Sequence, residues 1–278
     1  TLQERSVRYR ERWRYDEERH SGVDFSALAE VEVYDAYMRK MRDIVAEVAR
    51  IQPVDPDRIF VMGHSMGGWG AWWMALRNPG VFACTCPMSG MAPMDLLPSA
   101  RSLSPFVIHD DIDPIVKVEN SREPAAALAR AGLSVQYREE SGYGHSSRMI
   151  GDNLARVLEW FRDHPRKRAP KHVTLASRTP RKATAWWLRI LETADYPKTA
   201  VVDARIDTTG TLHVRTEHTR RFALDMNALA LITTVPLQAR VNGQVFHVML
   251  ASGLAEFTAG SGPGTWGLRA GAHEVPQS

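Results

Sequence analysis

Gly63-His-Ser-Met-Gly67 sets a serine between two glycines, directly after Arg58-Ile-Phe-Val-Met62 and just before the helical run Trp69–Arg77. A serine on a sharp strand-to-helix turn presents its hydroxyl at the carboxyl edge of a sheet, where it can act as a nucleophile. Gly63 and Gly67 are expected to remove the Cβ atoms that would clash at such a turn. The following helix points its N-terminus at the serine, which places the Met66 N–H to stabilise a developing oxyanion.

A serine hydroxyl is a poor nucleophile at neutral pH and needs a base, itself oriented by an acid. In this arrangement the partners follow the serine on loops after later strands, acid first and histidine second. His109-Asp-Asp-Ile-Asp-Pro-Ile-Val closes the apolar run Pro105–His109 and offers Asp110, Asp111 and Asp113. Ser141-Gly-Tyr-Gly-His145-Ser follows Val135–Glu139 and offers His145 on a glycine-rich loop. Each interval leaves room for one strand–helix unit.

The elements that must hold these groups are readable from periodicity. Tyr34, Tyr37, Met41, Ile44, Val45 and Val48 recur at helical spacing, and Pro53 and Pro56 end that helix. Arg58–Met62, Val81–Met88, Pro105–His109 and Val135–Glu139 read as strands, alternating with helices over Trp69–Arg77, Glu119–Ala131 and Ser147–Phe161. Such alternation predicts an α/β unit over 1–165, a parallel sheet flanked by helices. The polar, basic, proline-interrupted stretch 166–171 reads as a linker. Over 172–278, Ala185–Leu191, Thr199–Asp207, Thr211–Thr216, Arg221–Met226 and Pro236–Val241 read as short strands, with Asn242-Gly243 as a two-residue hairpin turn. That pattern predicts a smaller all-β, sandwich-like domain.

Three stretches carry a resemblance to a known superfamily. Asp57-Arg-Ile-Phe-Val-Met-Gly-His-Ser-Met-Gly-Gly resembles the elbow of α/β-hydrolases in the branch of prolyl-oligopeptidase-like and polyhydroxybutyrate-depolymerase-like esterases. His109-Asp-Asp-Ile-Asp-Pro-Ile-Val resembles that branch's acid loop, and Gly144-His145 its histidine motif. The resemblance spans Asp24–Phe161 and implies Ser65 as nucleophile, Asp113 as acid and His145 as base, with no metal and no cofactor. Two local departures stand out. Asp110 replaces the branch's glycine, an extra carboxylate expected to raise the pKa of Asp113, and Lys117 replaces its proline. A third is larger. Only one clear helix precedes Asp57, so the resemblance implies an N-terminally incomplete sheet lacking its front strands and second oxyanion donor. The edge so exposed implies a homodimer or a fragment of a longer protein.

Composition limits the alternatives. The 278 residues are 44% hydrophobic and 24% charged, which excludes a disordered chain, a collagen repeat and a coiled coil. Val61–Leu76, the longest apolar stretch, is broken by four glycines, and no membrane span is expected. A formal charge of +3 does not announce a nucleic-acid partner. The alternation of Arg8, Arg10, Arg12 and Arg14 with Val7, Tyr9 and Trp13 reads as an edge strand or extended arm instead. Cys84 and Cys86 read as small core residues, Trp72 and Trp73 as core, and Trp186, Trp187 and Trp266 as core in preference to a stacking surface. His64 is expected to pack or bind backbone and His109 to be a structural hydrogen-bonder. His213, His218 and His247 lack metal-ligand spacing. No secretory signal is visible and the chain begins at Thr1, so the compartment stays open. The expected function is a serine hydrolase that cleaves a small-molecule or polymeric ester through an acyl-enzyme. A serine peptidase with the same machinery is the alternative, and a non-catalytic binding protein on a degenerate scaffold is the rival.

Overall fold

A computed structural model describes residues 28–180, 183–195, 198–234, 237–249, 252–262 and 264–270. The basic stripe Ser6–Arg14 lies outside them. The chain opens with helix α1 (Leu28–Ile51) and then alternates strand and helix. Its order is β1 (Phe60–His64), α2 (Met66–Arg77), β2 (Cys84–Met88), a 3₁₀ helix (Met94–Ser102), β3 (Phe106–Asp110), α3 (Glu119–Arg130), β4 (Gln136–Glu140) and α4 (Arg148–Asp163). The four strands lie in the order β1-β2-β3-β4, and every neighbouring pair is parallel. Parallel neighbours need a crossover, and α2, the 3₁₀ helix and α3 lie in turn between β1 and β2, β2 and β3, and β3 and β4.

The sheet buries both faces at its centre. All five residues of β2 and of β3 are buried. One face packs on Trp72, Trp73, Leu76, Leu96, Leu97 and Leu128, the other on Met149, Val157 and Phe161. Cys84 and Cys86 face this second cluster, and burial pushes the Cys84 thiol up to about 12. β1 differs from β2 and β3. Its five residues are all only partly exposed, none fully buried, because β1 is an edge strand that pairs with β2 alone among the described residues. Met41, Ile44, Val48 and Ile51 of α1 are exposed as well.

After α4 come β5 (His172–Ser177), β6 (Thr184–Ala185), β7 (Leu188–Thr193), β8 (Ala200–Ile206), β9 (Leu212–Glu217), β10 (Thr219–Asp225), the short helix α5 (Met226–Leu229), β11 (Leu237–Val241), β12 (Gln244–Val248), β13 (Leu254–Ala259) and β14 (Trp266–Ala270). They form two five-stranded sheets, β12-β11-β9-β8-β5 and β14-β13-β10-β7-β6. All pairings are antiparallel except β9 with β11. Both sheets contribute to one apolar cluster that includes Val202, Val214, Phe222, Leu224, Ala255 and Phe257. The Asn242-Gly243 turn joins β11 to β12, with φ of 47° and 93° at its two central residues, as a type I′ turn requires. Trp187 and Trp266 are buried in this cluster and not presented for stacking.

The stretch 166–171 is held on both sides. The Arg166 N–H donates to the Asp57 carbonyl at 2.8 Å, its guanidinium donates to the Asp57 carboxylate at 2.8 Å, and Arg168 bonds the same carboxylate. From the other side the Trp187 indole N–H donates to the Pro170 carbonyl at 2.9 Å and that of Trp186 to Lys167 at 3.0 Å. Farther on, Arg178 forks onto Asp95 of the 3₁₀ helix with two bonds of 2.7 Å, and its guanidinium lies over Trp73. Ala176 and Val201 complete the apolar cluster on Trp72 and Leu76. The β-rich half thus shares packing with the parallel sheet.

Phe222 and Phe257 are fully buried and stacked with ring centroids 4.9 Å apart. Phe222→Ala is expected to cost about 3–5 kcal/mol, read as a lowered denaturation midpoint. A loss below about 1 kcal/mol would mean that this cluster is not a packed core.

Candidate active site

The site lies at the carboxyl ends of β1, β3 and β4. Ser65 follows β1 at φ 58° and ψ −119°, a conformation that non-glycine residues rarely adopt. Its N–H donates to the Met88 carbonyl at 2.9 Å, so the end of β2 helps to hold the turn. The glycines work differently from the sequence expectation. A Cβ on Gly63 would run into the Gly67 backbone, whereas a Cβ on Gly67 would meet nothing within 4 Å. The second close approach belongs to Gly68 instead. A Cβ there would strike the Met88 carbonyl, and one on Gly90 would strike Gly68. Gly63, Gly68 and Gly90 therefore let β1, α2 and the loop after β2 touch backbone to backbone.

Met66 is the first residue of α2, which puts its N–H at the helix end beside Ser65. The positive end of the helix dipole favours negative charge there.

The structure brings Ser65, His145 and Asp113 into one hydrogen-bonded line. His145 Nε2 is 2.8 Å from Ser65 Oγ, and His145 Nδ1 is 2.7 Å from Asp113 Oδ2. Asp113 Oδ1 accepts the N–H groups of Ile115 and Val116, each at 2.9 Å. Burial pushes the Asp113 carboxyl up, but bonds from His109, His145 and the two amides outweigh it and hold the group well below the usual carboxylate range. The expected rise from Asp110 is not found. An ionised Asp113 only accepts, so His145 Nδ1 carries the proton and Nε2 is left to accept from the Ser65 hydroxyl.

Two residues lie behind this line: His109, the structural hydrogen-bonder that the sequence led us to expect, and Asp110, whose part the sequence did not reveal. His109 is fully buried, with Nδ1 2.7 Å from Ser121 Oγ and Nε2 2.8 Å from the Val116 carbonyl. The same Nε2 is 3.5 Å from Asp113 Oδ2. Asp110, also fully buried, accepts the Tyr143 N–H at 2.7 Å and the Ile112 N–H at 3.2 Å. Asp110 ends a buried strand as an ionisable residue, which is the signal that could have marked it. Asp111 is exposed. His64 packs beside His145, ring centroids 4.8 Å apart, which is the first of its two expected parts, and its buried Nε2 has no hydrogen-bond partner among the described residues. Burial, then the neighbouring His145, pushes its pKa down. Among the described residues no cluster of three or more His, Cys, Asp or Glu could hold a metal ion.

The model of the Esterase family matches residues 29–196, more than half of the chain. The chain belongs to that family. A stretch of 42 residues is 52% identical to an S-formylglutathione hydrolase of Rattus norvegicus, covering 15% of this chain and 14% of the relative. A stretch of 78 residues is 35% identical to that of Mus musculus, covering 27% of each. The chain thus spans only a small part of the curated relatives it matches. Among solved structures it is similar to a thermostable esterase, with 27% identity, a TM-score of 0.44 and coverage of 46% of this chain and 36% of the other. It is also similar to an S-formylglutathione hydrolase from Staphylococcus aureus, with 18% identity, a TM-score of 0.40 and coverage of 45% and 63%.

Two outcomes follow for this esterase-family chain. Gly67→Ala should leave thermal stability unchanged or raise it by up to about 1 kcal/mol through helix propensity. Gly63→Ala should lose about 1–3 kcal/mol or more from overpacking against α2. Equal melting temperatures for the two variants would overturn the assignment of the close approach. The second outcome concerns acid. A carboxyl depressed in the fold stabilises it above its unfolded pKa of about 3.9, and that contribution fades as pH falls through the folded value. Asp113→Asn should therefore flatten the fall in unfolding midpoint between neutral pH and pH about 3.

Proposed function

We propose that this protein is a serine esterase in which Ser65, His145 and Asp113 act as a triad. The observation that carries the reading is the continuous pair of bonds from Ser65 Oγ to His145 to Asp113, 2.8 and 2.7 Å long, on a serine held at positive φ. Membership of the Esterase family supports it.

Ser65 Oγ attacks the ester carbonyl while its proton passes to His145 Nε2. The imidazolium that forms is stabilised by Asp113, which stays ionised because its donors remain in place. The tetrahedral oxyanion develops beside the N-terminus of α2, where the Met66 N–H stabilises it. Collapse transfers the histidine proton to the leaving alcohol and leaves an acyl-serine. Water, deprotonated by the same histidine, attacks the acyl group, and the returning proton frees the acid product and Ser65. Met66, Ile112 and Ile115, immediate neighbours of the triad, are 57%, 66% and 61% exposed. They offer apolar surface to the substrate, which favours an uncharged ester over a charged peptide. The strands from His172 onward serve as an accessory β-rich domain that supplies none of the reacting groups.

Purified protein should hydrolyse p-nitrophenyl esters faster than aminoacyl p-nitroanilides and take a fluorophosphonate label. Ser65→Ala is expected to lose about 10⁶ in kcat and Asp113→Asn about 10⁴, with Asp111→Asn close to wild type. A folded wild-type protein that takes no label would overturn the enzyme reading, and a reversed ranking of the two aspartates would move the acid to Asp111.

A further inference from the structure

The loop that carries His145 runs through Gly142 and Gly144, both at positive φ, at 87° and 57°. Backbone of this kind has many alternatives and needs an anchor to hold one of them. Tyr143 lies between the two glycines, two residues before His145. Its hydroxyl bond to Asp152 at 3.1 Å is solvent-exposed and contributes little. Its N–H donates into the protein, to Asp110 Oδ2 at 2.7 Å.

The other oxygen of that carboxyl accepts the Ile112 N–H, one residue before Asp113, at 3.2 Å. The Asp113 N–H in turn reaches the Asp110 carbonyl at 3.4 Å. Asp110 is the last residue of β3, is fully buried, and is paired in register with Glu140 at the end of β4. The Asp111 N–H donates to the Glu140 carbonyl at 2.9 Å. One side chain thus spans the mouths of two neighbouring strands and bonds both loops that leave them.

We infer that Asp110 is a positioning residue: its carboxyl clamps the His145 loop to the Asp113 loop and thereby sets the alignment of His145 with Ser65. The inference rests on the triad proposed above. A misplacement of about 1 Å at a reacting group can cost about 10²-fold in rate, so the clamp acts on kcat and leaves substrate binding alone. Asn keeps one acceptor oxygen, enough for Tyr143. Ala keeps none.

The test compares wild type, Asp110→Asn, Asp110→Ala and Ser65→Ala by ester kinetics, fluorophosphonate labelling rate and the proton NMR resonance of the His145 Nδ1–H held by Asp113. In Asp110→Ala, kcat and labelling rate should fall about 10- to 100-fold with KM within about twofold, and the resonance should broaden or vanish. In Asp110→Asn they should fall less than about fivefold, with the resonance kept. Ser65→Ala should be inactive yet keep the resonance, which separates the clamp from the chemistry. Unchanged kcat and resonance in Asp110→Ala would overturn the inference. So would a fall of more than about tenfold in Asp110→Asn with its resonance intact, and this arm decides alone if the Ala variant does not fold. A wild type that shows the resonance, loses it in Asp110→Ala and takes no label would overturn the esterase reading and leave the clamp standing.

Discussion

A carboxylate taken out of water at the end of a sheet must find donors on every side, and much of the site follows from meeting that demand at Asp113. Two amides of its own loop and His145 meet most of it. Val116 has a double part: its N–H donates to Asp113 while its carbonyl accepts from His109, so the buried histidine holds the turn that holds the acid. Ser121, at the start of α3, fixes the other face of that histidine. The orientation of one imidazole on the surface is therefore set several residues away, by groups that never meet solvent.

The opposite side of the site is built by the absence of side chains. Gly63, Gly68 and Gly90 let the turn after β1 press against the end of β2, and the Ser65 N–H closes it onto the Met88 carbonyl. A hydroxyl held at an unfavourable φ keeps its place only when the surrounding backbone over-determines it. The β-rich half is joined to this scaffold from behind, by Arg178 on Asp95 and by Ala176 and Val201 against the tryptophan helix. Burial raises the Asp95 carboxyl, but Arg178 and Thr199 outweigh it and hold its pKa low. The contact is thus charged as well as apolar.

Much of this was legible in the residues. The four parallel strands announce themselves as short apolar runs between helical periods, and the helices match the expected positions within a few residues at each end. Ser65, Asp113 and His145, far apart in the chain, meet where their motifs imply. Other parts were not legible, for physical reasons. β5 follows a basic, proline-rich stretch and mixes His and Thr among its apolar residues, so its burial depends on partners far along the chain. β13 and β14 are short, mixed in character and flank a glycine-rich turn, and only pairing makes them strands. Which glycine of the elbow is indispensable depends on backbone brought near by folding, a distance that local spacing does not contain. The same holds for Asp110, whose two bonds reach residues 2 and 33 positions away.

The two cysteines have a practical consequence. They are the only ones in the chain, both lie fully buried against Met149 and Phe161, and the Cys84 Sγ–H donates to the His164 carbonyl at 3.2 Å. Burial keeps both protonated at neutral pH, and a thiol, unlike a thiolate, is a feeble nucleophile. Maleimides therefore find the folded molecule silent. A single cysteine introduced on any solvent-facing loop would be its one reactive handle, free for a dye, a spin label or a crosslinker without first removing the native pair.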